Sequence, residues 1–531
     1  MGWEFPLPLI QRVAQSTEDA LEAMLSSLQS ADFINEEPAF PDIKYTFKHA
    51  LTQEVAYNSL LAERRQLIHQ QIAQSMESWY GERLSDHLKE LALHYSRSGN
   101  ALKAIEYLRL VGKQAASRSF FEEAIAQLET ALGLLPKLEN AAVRDAQELA
   151  NRVALMWPLT AVNSMPARAN QQNLSRVRLL CEQVGQSQLL GRILSFQFFI
   201  HWSVRNFASA RECTEQLRAL MARTSDEITC FLAGFHAGFL SNTSGDYVSA
   251  RDYFERALNL SDDIRRVLIN SDTAAGFVLC TGALGLSLWI LGYPEQARKQ
   301  HARVLDLLGG PLDAIARGNG ILHELIMSDF MRNNRRMLEA AERLVALTRE
   351  SGVTSYLGVG LIWLGMARAI EGAVERGIEA VAEGSDILLK LGELAVLDMN
   401  EHTAAAAYLE GGRIDEGLAI VERLIEECAA GGVRFYEAEL HRLKGELLLA
   451  ADAQMADAEN CFREAINTAQ RQQAKSWELR ATLSLARLLM KQRRRDEARS
   501  MLAEIYDWFT EGFDTADLKD AKALLDELTA R

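Results

Sequence analysis

A chain of 531 residues with a formal charge of −15 is too long for one ordinary core and calls for several domains or a repeat array. The acidic balance argues against nucleic acid as a partner, because phosphate neutralisation needs clustered Lys and Arg. Proline is scarce and absent after Pro311, and the six cysteines stand singly, without CxxC spacing. An all-α protein is therefore expected, with buried thiols in a reducing, cytoplasmic setting.

In chain order, helices are predicted over Pro6–Ala14 and Thr17–Leu28, with Thr17 as an N-cap. MGWEFPLPLI lacks the basic n-region of a secretory signal. Phe33-Ile34 and Tyr45-Thr46-Phe47 are predicted to pair as strands, with residues 38–41 as the turn between them. The second strand is expected to run into one long amphipathic helix with Leu51, Val55, Leu60, Leu61, Ile68 and Ile72 as its apolar stripe.

From about Ser85 the chain repeats. The second helix of a tetratricopeptide hairpin wants a small residue where the two helices cross, with apolar residues four and seven later. Ala104, Ala124, Ala210, Ala250, Ala297, Ala340, Gly377, Gly417, Ala458 and Ala498 occupy that position. Most steps are about 40 residues, longer than the common repeat of about 34. The first step is short, so residues 101–116 are expected to serve two hairpins. The pattern fades between Ala124 and Ala210, where two helices, 138–162 and 167–184, are expected. Residues 517–531 are expected to cap the last hairpin. Thr273–Pro294 carries no charge and is long enough to span a bilayer. Its glycines Gly282, Gly285 and Gly292 fall where repeats want small residues, so a buried repeat helix is expected and no membrane.

The search for chemistry returns no catalytic residue. A phosphate loop needs a glycine-rich turn before its lysine, and Gly112-Lys113 has Tyr107 where the first Gly belongs. HExxH and GxSxG are absent. Gly358-Val359-Gly360 lies in an apolar helix and reads as packing. The ten histidines are scattered; His236 and His301 read as structural, and no metal or resident cofactor is expected. Glu422, Glu426 and Glu427 read as solvated surface, and Arg493-Arg494-Arg495 as a charged turn.

FKHALTQEVAYNSLL (Phe47–Leu61) followed by RRQLIHQQIA (Arg64–Ala73) resembles the end of the winged-helix domain in large bacterial signalling ATPases. In that family a nucleotide-binding domain, often behind a class III adenylate cyclase domain, precedes the winged helix and a tetratricopeptide array. Residues 456–466, 472–489 and 508–528 agree with it at the far end, and the long hairpins resemble the superhelix of the maltose-regulator type. Nothing here matches the ATPase or cyclase portions.

The resemblance implies a partial winged-helix regulatory domain over residues 1–77 and a repeat superhelix over 78–531. The winged helix's usual recognition helix would be Thr17–Leu28, which holds Glu18, Asp19 and Glu22 and no Lys or Arg. A helix of that charge is repelled by DNA, which disfavours a transcriptional regulator. In related nucleotide switches a His after the winged-helix strand reaches the β-phosphate of ADP. His49 matches that position, although the acid that usually follows is Ala50. A histidine capping its own helix remains the alternative.

The chain is expected to be a non-catalytic scaffold binding a protein or peptide in the superhelix groove, on a concave face lined by the first helices. The alternative is the sensor half of a signalling ATPase or adenylate cyclase, with a nucleotide-binding or cyclase domain supplied in trans.

Overall fold

The computed structural model describes residues 4–14, 16–37, 43–184, 187–223, 226–271, 273–451 and 454–530. Most of them are helical. The chain separates into two compact units, Met1–Pro158 with Glu182–Val184, and Leu159–Cys181 with Gly185–Arg531.

The first unit opens on three short strands, β1 (Glu4–Pro6), β2 (Ile34–Glu37) and β3 (Lys44–Phe47), in the order β1-β3-β2 and antiparallel throughout. The expected pairing of the second and third is present, while the turn over 38–41 lies outside the described residues. Strand β1 departs from the expected helix start at Pro6. Pro6 has no N–H for a ladder and biases Phe5 toward extended backbone, so the segment suits an edge strand. Phe5, Ile34 and Tyr45 bury one face of the sheet against Ile10, Leu21 and Leu25. Thr17 does stand at the N-cap of Glu18–Ser30, but its side chain makes no capping hydrogen bond.

The long helix expected after β3 is two helices, Ala50–Asn58 and Ala62–Tyr80. At the break the Ser59 hydroxyl donates to the Ala56 carbonyl at 2.7 Å, a local bond that competes with helix continuation. The predicted stripe therefore divides. Leu51 and Val55 are exposed, and Leu61 is 81% exposed, whereas Ile72, Ala73 and Met76 are buried against Leu9, Leu91 and Tyr95. Helix Ala101–Ser117 packs on Leu88–Ser98 and on Phe121–Gly133, so it serves two hairpins as expected.

The second unit is a solenoid-like stack of hairpins. In order they are Ser187–Ser203 with Phe207–Met221, Glu227–Thr243 with Tyr247–Leu258, Ala274–Ile290 with Pro294–Leu308, and Ala314–Phe330 with Asn334–Ser351. Then follow Thr354–Ile370 with Val374–Leu391, Leu394–Glu410 with Ile414–Ala429, Glu437–Ala450 with Met455–Arg471, and Lys475–Lys491 with Arg495–Trp508. Helix Ala516–Thr529 covers the last hairpin with Leu518, Ala521, Leu524 and Leu528 buried. No single helix among the described residues is long and apolar enough to cross a membrane, and Ala274–Ile290 is buried along almost its whole length.

All ten predicted crossing residues are buried. The closest approach is between Thr354–Ile370 and Val374–Leu391. A Cβ on Gly377 would lie 2.6 Å from the Gly365 carbonyl oxygen, and one on Gly384 2.5 Å from that of Gly358. Gly358 is thus a packing glycine. Most loops within a hairpin contain one residue in the left-handed region: Arg205, Gly245, Gly292, Arg332, Gly372, Gly412 and Arg493. Asn206, Asp246 and Asn333 follow as N-caps, each accepting a backbone N–H at 3.1 Å.

These loops also join distant hairpins. Arg205 of the first hairpin reaches Asp398 of the sixth at 2.5 and 2.7 Å and Glu427 at 2.8 Å. The Thr243 carbonyl of the second accepts the Arg434 N–H at 2.7 Å beside the seventh, and the Tyr247 hydroxyl donates to Phe435 there. Ser476 of the eighth donates to the Trp289 carbonyl of the third at 2.5 Å. The stack thus closes on itself every five hairpins. The first helices converge inside it, where Phe330, Trp363, Tyr436 and Trp477 are buried together. The concave face, expected to be lined by the first helices, is largely filled by these side chains.

Candidate binding site on the inner face of the repeat array

Where the first helices converge, a cavity of about 280 Å³ remains. Its walls come from Asp329 and Arg332 at the end of Ala314–Phe330, His402 and Glu410 on Leu394–Glu410, Glu439 and Arg442 on Glu437–Ala450, Arg480 and Arg487 on Lys475–Lys491, and Asp517 and Asp520 on Ala516–Thr529. The fourth, sixth, seventh and eighth hairpins and the final helix thus present polar residues to a shared space.

Most of the charge is paired. Arg442 grips Glu439 through two nitrogens at 2.6 and 2.9 Å and reaches Glu446 at 3.2 Å. Arg480 binds Asp517 at 2.7 Å and donates to the Phe330 carbonyl at 2.8 Å. Arg332 and Arg487 share Asp520 at 2.8 and 3.4 Å. Burial alone would raise the Glu439 carboxyl, but Arg442 outweighs it and holds the group below its usual range.

Apart from the exposed Glu410, two groups lack such partners. His402 is 4% exposed, and neither ring nitrogen has a hydrogen-bond partner. Its ring stacks on Tyr436 at 3.6 Å, and burial depresses its pKa to about 4, so it is neutral at physiological pH. The Asp329 carboxyl makes no hydrogen bond or ion pair among the described residues. Burial pushes it up to about 6, against the opposing pull of Arg480. A buried polar group such as the His402 ring is rarely left unmet, and costs about 1–3 kcal/mol when it is.

Sequence reasoning missed this cluster. One trace of it was present: Leu394–Glu410 buries Asp398, Asn400, Glu401 and His402 together with apolar residues on its other sides. A helix with no solvent face whose polar residues are nonetheless buried must pair them across helices.

The residues singled out in advance are scattered. His236 Nε2 bonds the Ser195 hydroxyl at 2.7 Å and is structural. His301 is buried beside His323, ring centres 5.3 Å apart, with no hydrogen-bond partner on either ring. Glu422 and Glu427 are more than solvated surface, since Glu422 pairs with Lys444 at 2.8 Å and Glu427 with Arg205. Arg494 and Arg495 form a charged turn, Arg494 binding Glu459 at 2.9 Å and Arg495 the Glu527 carbonyl at 2.7 Å. His49 stands in the first unit at the N-cap of Ala50–Asn58, exposed and with no side-chain capping bond, while its carbonyl accepts the Thr52 N–H at 3.0 Å. No group of three or more His, Cys, Asp or Glu is placed to hold a metal among the described residues.

No known family model matches the chain. The chain is similar to an uncharacterized protein of Rhizobium meliloti (strain 1021), 24% identical over 510 residues that cover 92% of this chain and 48% of that protein. It therefore spans about half the length of the curated relative it matches. Among solved structures it is similar to a Rap protein complexed with Competence and Sporulation Factor, at 13% identity and a TM-score of 0.48, covering 70% of this chain and 99% of that one. It is also similar to a Signal Transduction ATPase with Numerous Domains, with a tetratricopeptide repeat sensor, from Pyrococcus horikoshii. There the identity is 15% and the TM-score 0.37, over 88% of this chain and 74% of that one.

Proposed function

We infer that the chain is a non-catalytic regulatory or scaffold protein of the cytoplasm that binds a peptide segment of a partner protein on the inner face of its repeat array. The observation that carries this reading is the cavity itself. Its ionic network is paired almost throughout, yet it leaves the buried His402 nitrogens unmet, and the Asp329 carboxyl at its wall has no ion-pair partner among the described residues. A bound segment supplying their partners would recover the cost of leaving them so. Peptides selected from a random displayed library on the purified full chain should slow amide exchange in Leu394–Glu410 and Glu437–Ala450. If no selected peptide protects either helix at saturation, the reading fails. ATP hydrolysis or cyclic AMP formation that survives repurification would overturn its non-catalytic part.

A second reading is supported by His49. The side chain lies exposed where β3 meets a helix N-terminus, a place that favours anions. On this reading residues 1–77 are a winged-helix remnant that docks a nucleotide-binding or cyclase domain in trans, with His49 facing an ADP phosphate. ADP should then tighten that complex, and His49→Ala should abolish the ADP dependence without changing the fold. Equal ADP dependence in both proteins, measured by calorimetry, would refute it.

A further inference from the structure

We propose that the inner-face cavity is a socket for one cationic side chain, the guanidinium or ammonium of an Arg or Lys carried by the partner peptide, held by Asp329 and His402. This rests on the peptide-binding reading above and adds the chemistry of the anchor.

The charge inventory selects the sign. Four arginines and five acids line the cavity. Arg332, Arg442, Arg480 and Arg487 each have a carboxylate partner, and a further Arg480 donor is taken by the Phe330 carbonyl. Arg332 and Arg487 are half exposed and share Asp520, whereas the inner Arg442 and Arg480 each hold a carboxylate of their own, so no inner cation is left to receive an anionic ligand. Of the acids, Glu439, Asp517 and Asp520 are held by those arginines, which leaves Asp329 and Glu410. Glu410 is exposed and stays hydrated, whereas Asp329 is only partly open, at the cavity wall. The lining therefore carries an excess negative charge whose least solvated bearer is Asp329.

His402 supplies the second, independent sign. Being neutral, it has one N–H, which the Met399 carbonyl can accept, and offers the other ring nitrogen as an acceptor for a guanidinium or ammonium N–H. A neutral apolar side chain would leave both groups unmet, and an anion would meet Asp329 head-on. A divalent metal is a poor fit, since a single carboxylate and one imidazole provide too few ligands. At about 280 Å³ the space falls just below the usual range of about 300–1,000 Å³ for whole small-molecule ligands, but it admits the end of one long side chain.

The site should also respond to pH in one direction. Asp329 faces Arg480, Glu439, Asp517, Arg442 and Tyr436, and burial among them raises its pKa to about 6. Below that pH the carboxyl takes up a proton and loses its attraction for a cation, so binding should weaken between pH 7 and pH 5.

The probes are acetyl-Gly-X-Gly-amide peptides with X as Arg, citrulline or Glu, together with butylguanidinium, titrated into the full chain by calorimetry with amide exchange as the site readout. The Arg peptide should bind at least tenfold tighter than its citrulline isostere, protect Leu394–Glu410, and lose that advantage in Asp329→Asn. His402→Gln, a second variant checked for folding by its ellipticity, should weaken the Arg peptide while leaving the citrulline peptide unchanged. If the citrulline or Glu peptide binds the cavity as well as the Arg peptide, or Asp329→Asn keeps the preference, the cation socket is refuted and the peptide reading stands. If library peptides protect these helices but none of the probes does, the socket alone falls; if neither does, both fall. Butylguanidinium binding as tightly as the Arg peptide would overturn the assignment to a peptide side chain.

Discussion

Closure of the array on itself can be tested with a matched pair of glycines. Gly292 (φ +93°) and Gly372 (φ +88°) each sit in the left-handed region of an intra-hairpin loop. Replacing either by Ala incurs a similar backbone strain of about 1–2 kcal/mol, which cancels in the comparison. Their surroundings differ. A Cβ at Gly372 meets nothing within 4 Å, whereas one at Gly292 would lie 2.5 Å from Trp508 Cζ3 and 3.0 Å from Lys475 Cβ, both from the eighth hairpin. Lys475 Cβ is fixed to its helix. Trp508 is partly exposed, so its ring has room to swing, but it would leave Tyr293 at 5.9 Å and the Lys475 ammonium at 5.5 Å. Gly292→Ala should therefore exceed Gly372→Ala by about 1–3 kcal/mol, the usual overpacking range. Because a repeat array does not unfold in one step, the readout is native-state amide exchange by segment. Gly372→Ala should loosen only its own hairpin; Gly292→Ala should also loosen Lys475–Lys491 and Arg495–Trp508. Equal effects, each confined to its own hairpin, would show that the contact between coils holds nothing.

Four further outcomes follow from the same geometry. Arg205→Ala strips the nearest partner from Asp398, whose side chain is 3% exposed; the loss in an unfolding titration should fall toward the low end of about 3–5 kcal/mol, because Arg423 stays 3.5 Å away. Asp329→Asn should stabilise the second unit at pH 8 by at most about 3 kcal/mol, since the folded pKa of about 6 lies above the ordinary aspartate value of about 3.9. A raised carboxyl favours the fold when protonated, so this gain must vanish as pH falls below 4, and a pH-independent change in melting temperature would contradict it. In the first unit burial depresses His69 to about 4 and His94 to about 3, so the unfolded chain protonates first. Protection of Ala62–Tyr80 should therefore be full above pH 6.5 and fall as the pH drops toward 4, and His94→Asn should blunt the fall. Leu51→Ser and Val55→Ser should change stability by less than about 0.5 kcal/mol, against about 2–5 kcal/mol for Ile72→Ala, as read by thermal melting.

The array was legible in the sequence because its signal is local. A small residue at the crossing and apolar residues four and seven later, as at Ala250, Phe254 and Ala257, are demanded by the adjacent helix, and all three are buried. Whether a loop residue touches anything is not local. Gly292 and Gly372 look alike in sequence and in backbone angle; the eighth hairpin reaches one and not the other only because small rotations accumulate through five hairpins. The same accumulation filled the concave face and brought Asp329, His402, Glu439, Arg480 and Asp517 from separate helices to one cavity. In the first unit, periodicity ran through Asn58 and Ser59 as though one helix continued, while the Ser59 bond to Ala56 and the placement of Ile72 against Leu91 divided it. Sequence spacing determined which face of each helix is apolar. The tertiary structure alone decided which polar residues meet, since a charge registers its partner through distance in space, and that distance is set by every hairpin in between.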